Sequence, residues 1–219
     1  MSVREQFDFD LKNLRDKLIE LGSVTEIALS KSIDALENQD IEQALQIIED
    51  DYLANDLEEE INNMAMLLIA KQQPVATDLR RIIVALKIAS DIERMADFAV
   101  NIAKSTIRIG KEPLVKPIST IKSMHKIATE MLSLSIKAFN EEDIVLAKKV
   151  ADMDDQVDEM YGEVMRDVLE LMKTKSEYLQ QLTQLAFVGR YIERTADHAT
   201  NISESIMYLV KGKRYDLNT

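Results

Sequence analysis

Apolar residues recur every three or four positions along almost the whole chain, which is the period of one helix face. Breaks in that pattern divide the chain into six predicted helices. The first spans about residues 10–36 and stops at Asn38-Gln39-Asp40. Asp40, with Gln43 three residues on, forms a capping box for the second. That helix continues to about residue 71, where Gln72-Gln73-Pro74 ends it. Thr77 caps a third, closed by Gly110. The stretch 111–117, with two prolines, is the clearest boundary in the chain. Three more helices follow over about residues 119–139, 143–173 and 176–211, and Gly212 closes the last. With five glycines and three prolines in all, long helices and no sheet are expected.

The two groups of three helices match each other. At an offset of 103, Leu29, Ser32, Ile33, Ala35, Asp40, Ile41 and Ala44 meet Leu132, Ser135, Ile136, Ala138, Asp143, Ile144 and Ala147. By the third helix the offset has become 100, and the lost residues fall at the turn containing Gln72-Gln73-Pro74. Insertions belong in turns, so the repeat and the helix boundaries support each other. The expected fold is all-α: two tandem, pseudo-symmetric, antiparallel three-helix bundles of six long helices, over residues 1–112 and 113–219.

The most conserved stretch between the halves is not apolar. Residues 92–102 and 192–202 agree at eight of eleven positions, including Glu93/Glu193, Arg94/Arg194, Asp97/Asp197 and Asn101/Asn201. Packing alone needs only the apolar spacing, so four retained polar identities point to a task performed twice. At about 100° per residue, Glu93 and Asp97 share a face, with Asn101 a turn on. The stripe Ile88, Ile92, Met95, Ala99, Ile102 lies nearly opposite, so the carboxylates are expected to face outward or into a shallow groove. On the second helix of each half, Asp51 aligns with Asp154 and Asn55 with Asp158, on the edge facing a neighbouring helix. Antiparallel packing would bring Asp51/Asn55 to Glu93/Asp97, and Asp154/Asp158 to Glu193/Asp197.

Facing carboxylates raise one another's pKa unless a cation neutralises them. Such oxygen-rich sets suit hard divalent or trivalent ions, with iron, zinc, magnesium, manganese and calcium not distinguished by spacing. The competing reading is a structural ion-pair network in which Arg94 and Arg194 pair with the carboxylates. Asn101 and Asn201 would then cross-bond helices or support ligands from behind. His198 answers to Phe98, so a polar packing role is expected, and His125 stands alone. No catalytic site is expected: neither histidine follows a Glu at the spacing of di-iron helices, and no Gly-rich phosphate loop occurs.

A net charge of −12 argues against nucleic acid as a partner and for cations or basic protein patches. The longest apolar run, residues 64–70, is too short to cross a bilayer, and residues 1–8 do not resemble a signal peptide. The expected location is cytoplasmic, with any membrane contact peripheral and through partners.

The doubled Glu-Arg-x-Ala-Asp-x-Ala-x-Asn-Ile helix resembles the PhoU family of bacterial phosphate-transport regulators. Residues 4–14, the segment Gln72-Gln73-Pro74-Val75-Ala76-Thr77-Asp78-Leu79-Arg80 and residues 197–202 carry the same resemblance, which covers essentially the whole chain. It implies a two-bundle, non-enzymatic, homodimeric adaptor that represses phosphate uptake and starvation signalling. The implied partners are the ATPase subunit of the phosphate ABC transporter and a sensor histidine kinase. It also implies surface metal clusters on Glu93, Asp97, Asp51 and Asn55, and on Glu193, Asp197, Asp154 and Asp158. The chain departs from the family's pattern at Asn55, where an amide replaces a carboxylate, so the first site is expected to be the weaker. The alternatives are a structural helical scaffold without metal and a carboxylate-bridged metalloenzyme.

Overall fold

In the computed structural model, which describes residues 3–217, the apolar stripes close on one another to give helices joined by short turns. These are α1 (Val3–Asn38), α2 (Ile41–Glu49), α3 (Tyr52–Gln72), α4 (Ala76–Ile109), α5 (Ser119–Glu141), α6 (Ile144–Thr174) and α7 (Leu179–Lys211). A 3₁₀ turn, Ser176–Tyr178, leads into α7. The first bundle is α1 to α4 and the second is α5 to α7, so the all-α, two-bundle architecture is as the repeat predicts.

The caps show why these segments stop where they do. Asp40 accepts from the Gln43 N–H at 2.9 Å, and Asp143 accepts from the Val145 and Leu146 N–H groups at 2.8 and 3.1 Å. Gly110 and Gly212 close α4 and α7 at φ +80° and +69°, conformations that a side chain would oppose. The repeat extends to side-chain bonding. Ser32 donates to the Leu29 carbonyl and Ser135 to that of Leu132, both fully buried.

Three expectations require correction. The second predicted helix is two, because Asp50 and Asp51 interrupt it. Leu53 N–H bonds back only to the Asp50 carbonyl and Ala54 N–H to that of Asp51, a tighter turn than α-helix. Short polar side chains favour such turns, and Asp50 also accepts from Gln46 at 2.8 Å. The matching α6 carries Met153-Asp154 here and runs unbroken. Secondly, Thr77 does not cap α4: Val75 occupies that position without a side-chain bond, and the Thr77 hydroxyl accepts from Arg80. Thirdly, α1 begins at Val3 rather than near residue 10, with Phe7 and Leu11 buried and Arg4 paired to Asp78 at 2.6 Å.

One continuous apolar core runs through both bundles. Helices α4 and α7 lie antiparallel: His198 meets Asp91 at 2.9 Å, Tyr191 stacks on Phe98, and Gln180 reaches the Arg108 carbonyl. Helices α1 and α5 make a second antiparallel seam. Glu142, at the end of α5, receives Arg15 at 2.9 Å and Arg81 at 2.7 Å, and Arg81 holds its carboxyl below the usual range. Gly22 lies on that seam against Ile136, where an added Cβ would stand 2.0 Å from the Ile136 Cδ1. Gly22→Leu is therefore expected to cost about 1–3 kcal/mol of overpacking, more than the ~0.8 kcal/mol of helix propensity regained. A lower denaturant midpoint at unchanged helical circular dichroism would show this, and an unchanged midpoint would contradict the seam.

Candidate metal centres

Antiparallel α3/α4 and α6/α7 pairs set the candidate carboxylates across from one another. In the first bundle Glu93 feels Asp97 on its own helix, Glu58 from α3 and Asp51 from the break just before α3. Burial first, then these neighbours, raises its pKa, while Arg94 works the other way. Arg94 bonds Asp97 at 2.9 Å and lies 3.7 Å from Glu93, so the ion-pair network is real on this side. Asn55 is exposed and donates to the Asp51 Oδ2 at 3.2 Å, so it braces Asp51.

The second bundle is deeper and more strained. Glu193 and Asp154 are 7% and 8% exposed. The expectation that the doubled-motif carboxylates face outward or into a shallow groove therefore fails for Glu193, while Asp154 is buried on the edge that faces a neighbouring helix. They are pulled in by the same stripe that buries Ile192 and Val157 on either side. Burial, and next the Asp197 charge, pushes Glu193 up to about 7; Asp158 and Asp154 add to this and Arg190 opposes it. Burial, then Asp197 and Asp158, pushes Asp154 up to about 6. The Thr200 hydroxyl favours the ionised Asp154 but stands outside hydrogen-bond geometry. Asp158 is raised as well, by burial first and then by Asp197. The buried Asp154 Oδ1 and Glu193 Oε2 have no hydrogen-bond partner.

Two sequence expectations about helper residues change. Arg194 does not pair with the cluster; its guanidinium lies 5.5 Å from the Phe98 ring centroid, across the α4–α7 seam. Arg190, one turn earlier, contacts Glu193 instead. Asn101 and Asn201 are half-buried one turn beyond the aspartates, and neither bonds a cluster carboxylate. Glu58 escaped the sequence reading because its repeat counterpart is Tyr161. Its position seven residues after Asp51, on the same face, was the available signal. His198 takes the polar packing role against Asp91.

Both clusters fit a hard cation in donor type and charge, and the second also in its unsatisfied oxygens. Their side chains are not drawn together: among the described residues, no three His, Asp or Glu side chains stand close enough to hold a metal ion. Ligation would require rotamer changes of exposed Asp158 and half-buried Asp197 toward the two buried carboxylates.

Comparison with known proteins bears on the whole chain. The PhoU domain is matched twice, over residues 18–106 and 121–206. A Clostridium acetobutylicum protein, named a phosphate-specific transport system accessory protein PhoU homolog, is 38% identical over 99% of both chains. A homolog of the same name from Aquifex aeolicus is 37% identical over 93% of this chain and 92% of its own. The crystal structure of PhoU from Pseudomonas aeruginosa superposes with a TM-score of 0.90 at 29% identity, covering 94% of this chain and all of that one. The structure of the phosphate transport system regulatory protein PhoU from Streptococcus pneumoniae has the same score at 30% identity, covering 96% and 99%.

The raised pKa values carry a pH dependence. Glu193 and Asp154 hold protons in the folded state that they release when unfolded, so folding is favoured at low pH. That stability is lost as pH rises from about 4 through their folded values of about 7 and 6. Metal-free protein should therefore melt higher at pH 5 than at pH 7.5. Glu193→Gln should flatten that slope and stabilise the protein at pH 7.5 by on the order of 1–3 kcal/mol. Identical melting of wild type and variant at both pH values would contradict the buried cluster.

Proposed function

Because the chain belongs to the PhoU family, we propose that it is a regulatory accessory protein of a phosphate-specific transport system. It holds uptake down and quiets starvation signalling when phosphate is plentiful. It acts as a cytoplasmic, homodimeric adaptor between the ATPase subunit of the phosphate ABC transporter and a sensor histidine kinase. The family is one of regulatory accessory proteins and not of enzymes. Among the described residues no helix is long and apolar enough to cross a membrane, and contact with the membrane's inner face runs through those partners.

The observation that carries the metal part is the second-bundle cluster. It buries two carboxylates with unpartnered oxygens and raises the proton affinities of Glu193, Asp154 and Asp158. A divalent or trivalent cation held by Glu193, Asp197, Asp154 and Asp158 replaces the protons and removes the repulsion. Bound, it would turn an acidic patch toward neutral or positive and so change which partner surface, or which phosphate, can approach. The first bundle offers Glu93, Asp97, Asp51 and Glu58, with Asn55 supporting Asp51. Arg94 already supplies part of the neutralising charge there, which favours the scaffold reading for that half.

Two measurements separate these claims. Glu193→Ala with Asp197→Ala should lower the metal content of purified protein by elemental analysis, with little change in helicity. Equal content in wild type and variant would leave only a scaffold. Independently, the full chain should co-purify with the transporter's ATPase subunit and the sensor kinase. Association with neither would sink the adaptor reading.

A further inference from the structure

Where α2 gives way to α3, an apolar hollow of about 150 Å³ opens between these helices, α1 and α4. Val24 and Ala28 line it from α1, Ala54 from α3 and Val100 from α4. Ile27 and Leu53 flank its mouth, 55% and 40% exposed. Asp50 and Asp51, the residues that break the helix, also line it, with Lys31 the one cation of its lining.

The internal repeat supplies a control for this hollow. At the offset of 103, Ala28 answers to Met131, Asp50 to Met153, Lys31 to Leu134 and Ile27 to Glu130. Met131 is fully buried, and Met153 and Leu134 pack against the core. In the second bundle, larger apolar side chains occupy the positions that the first bundle leaves small or polar. The helix that runs unbroken there is broken here, by the two aspartates that also edge the hollow.

We propose that this hollow docks an amphipathic helix from a protein partner. The partner inserts large apolar side chains between α1 and α3 and sets a Lys or Arg against Asp50 and Asp51. A gap between helices suits side chains spaced by one helical turn. The charge of the occupant follows from its surroundings. Asp50 and Asp51 edge the hollow against the single cation Lys31 of its lining, and the whole chain carries −12. An acidic helix or an anionic lipid surface would be repelled. The inference rests on the regulatory reading only in requiring a protein partner, and it needs neither metal nor a particular partner's identity.

The probe is a short fluorescein-labelled Leu/Lys amphipathic peptide and its Leu/Glu twin, titrated with the full chain in chelator at physiological salt and read by anisotropy. Wild type should bind the Leu/Lys peptide at least about tenfold more tightly than the Leu/Glu peptide. Ala28→Met, which copies the second bundle and leaves the charge unchanged, should weaken that binding by about tenfold. Ile27→Glu copies the second bundle at an exposed position, where folding is safe. It should also weaken binding, although it adds a negative charge that general attraction would welcome. If Ala28→Met does not fold by circular dichroism, Ile27→Glu decides alone. Wild-type affinity in the folded variants, or equal binding of both peptides, overturns the proposal. So does a wild-type dimer that sediments as monomer in the variants, because a second copy would then fill the hollow.

Discussion

Helices α4 and α7 lie against each other along their length, and each carries one copy of the Glu-Arg-x-Ala-Asp segment. Their seam is pseudo-symmetric at the level of single side chains. Asp91 meets His198 while Phe98 meets Tyr191, and at an offset of 100 those two pairs are images of each other. That register directs the remaining faces of the two helices. Glu93 and Asp97 turn toward α3, and Glu193 and Asp197 turn toward α6. Slipping the seam would strand His198 and Asp91 in the core and misplace both acidic clusters at once. The continuous core that unites the bundles therefore also fixes the chemistry on their flanks.

The two copies have then diverged in a physically coherent way. In the first, Arg94 lies over Asp97, Asn55 braces Asp51, and Glu58 brings a further carboxylate. Arg94 offsets part of the negative charge there, near the surface, where exposed ion pairs contribute little to stability. In the second, Arg194 has left for the Phe98 ring and Arg190 touches only one oxygen of Glu193. The result is a buried, under-neutralised set whose proton affinities rise instead. A protein selected for stability alone would pair or remove these groups. Their retention beside an otherwise well-packed core is what gives the cation reading its weight.

The fold was readable because the pattern and the repeat constrain each other: caps at Asp40, Asp143, Gly110 and Gly212 all fall where the periodicity breaks. That the candidate carboxylates would meet across paired helices was readable from the doubled Glu-x-x-x-Asp spacing and the alignment of Asp51 with Asp154. What escaped depended on competition that spacing does not record. Asp50-Asp51 could continue a helix or turn it, and local bonding decided for the turn. Arg94 and Arg194 occupy identical positions, yet only one pairs with acids, because the other meets an aromatic ring from the opposite bundle. Glu193 sits on the polar face by helical angle, but that face packs against α6 and is buried regardless. Glu58 has no acidic counterpart in the other half, so comparing the halves passed over it.

Burial and mutual repulsion make the second-bundle carboxylates Glu193 and Asp154 hold protons that a bound cation would displace. Titrating metal into chelator-stripped protein near pH 6.5, in buffers of different ionisation enthalpy, counts the protons released on binding. Saturable binding that releases about one proton or more, and a clear loss of that release in Glu193→Gln with Asp154→Asn, is the predicted result. Binding without proton release, or release unaffected by the double substitution, would contradict it.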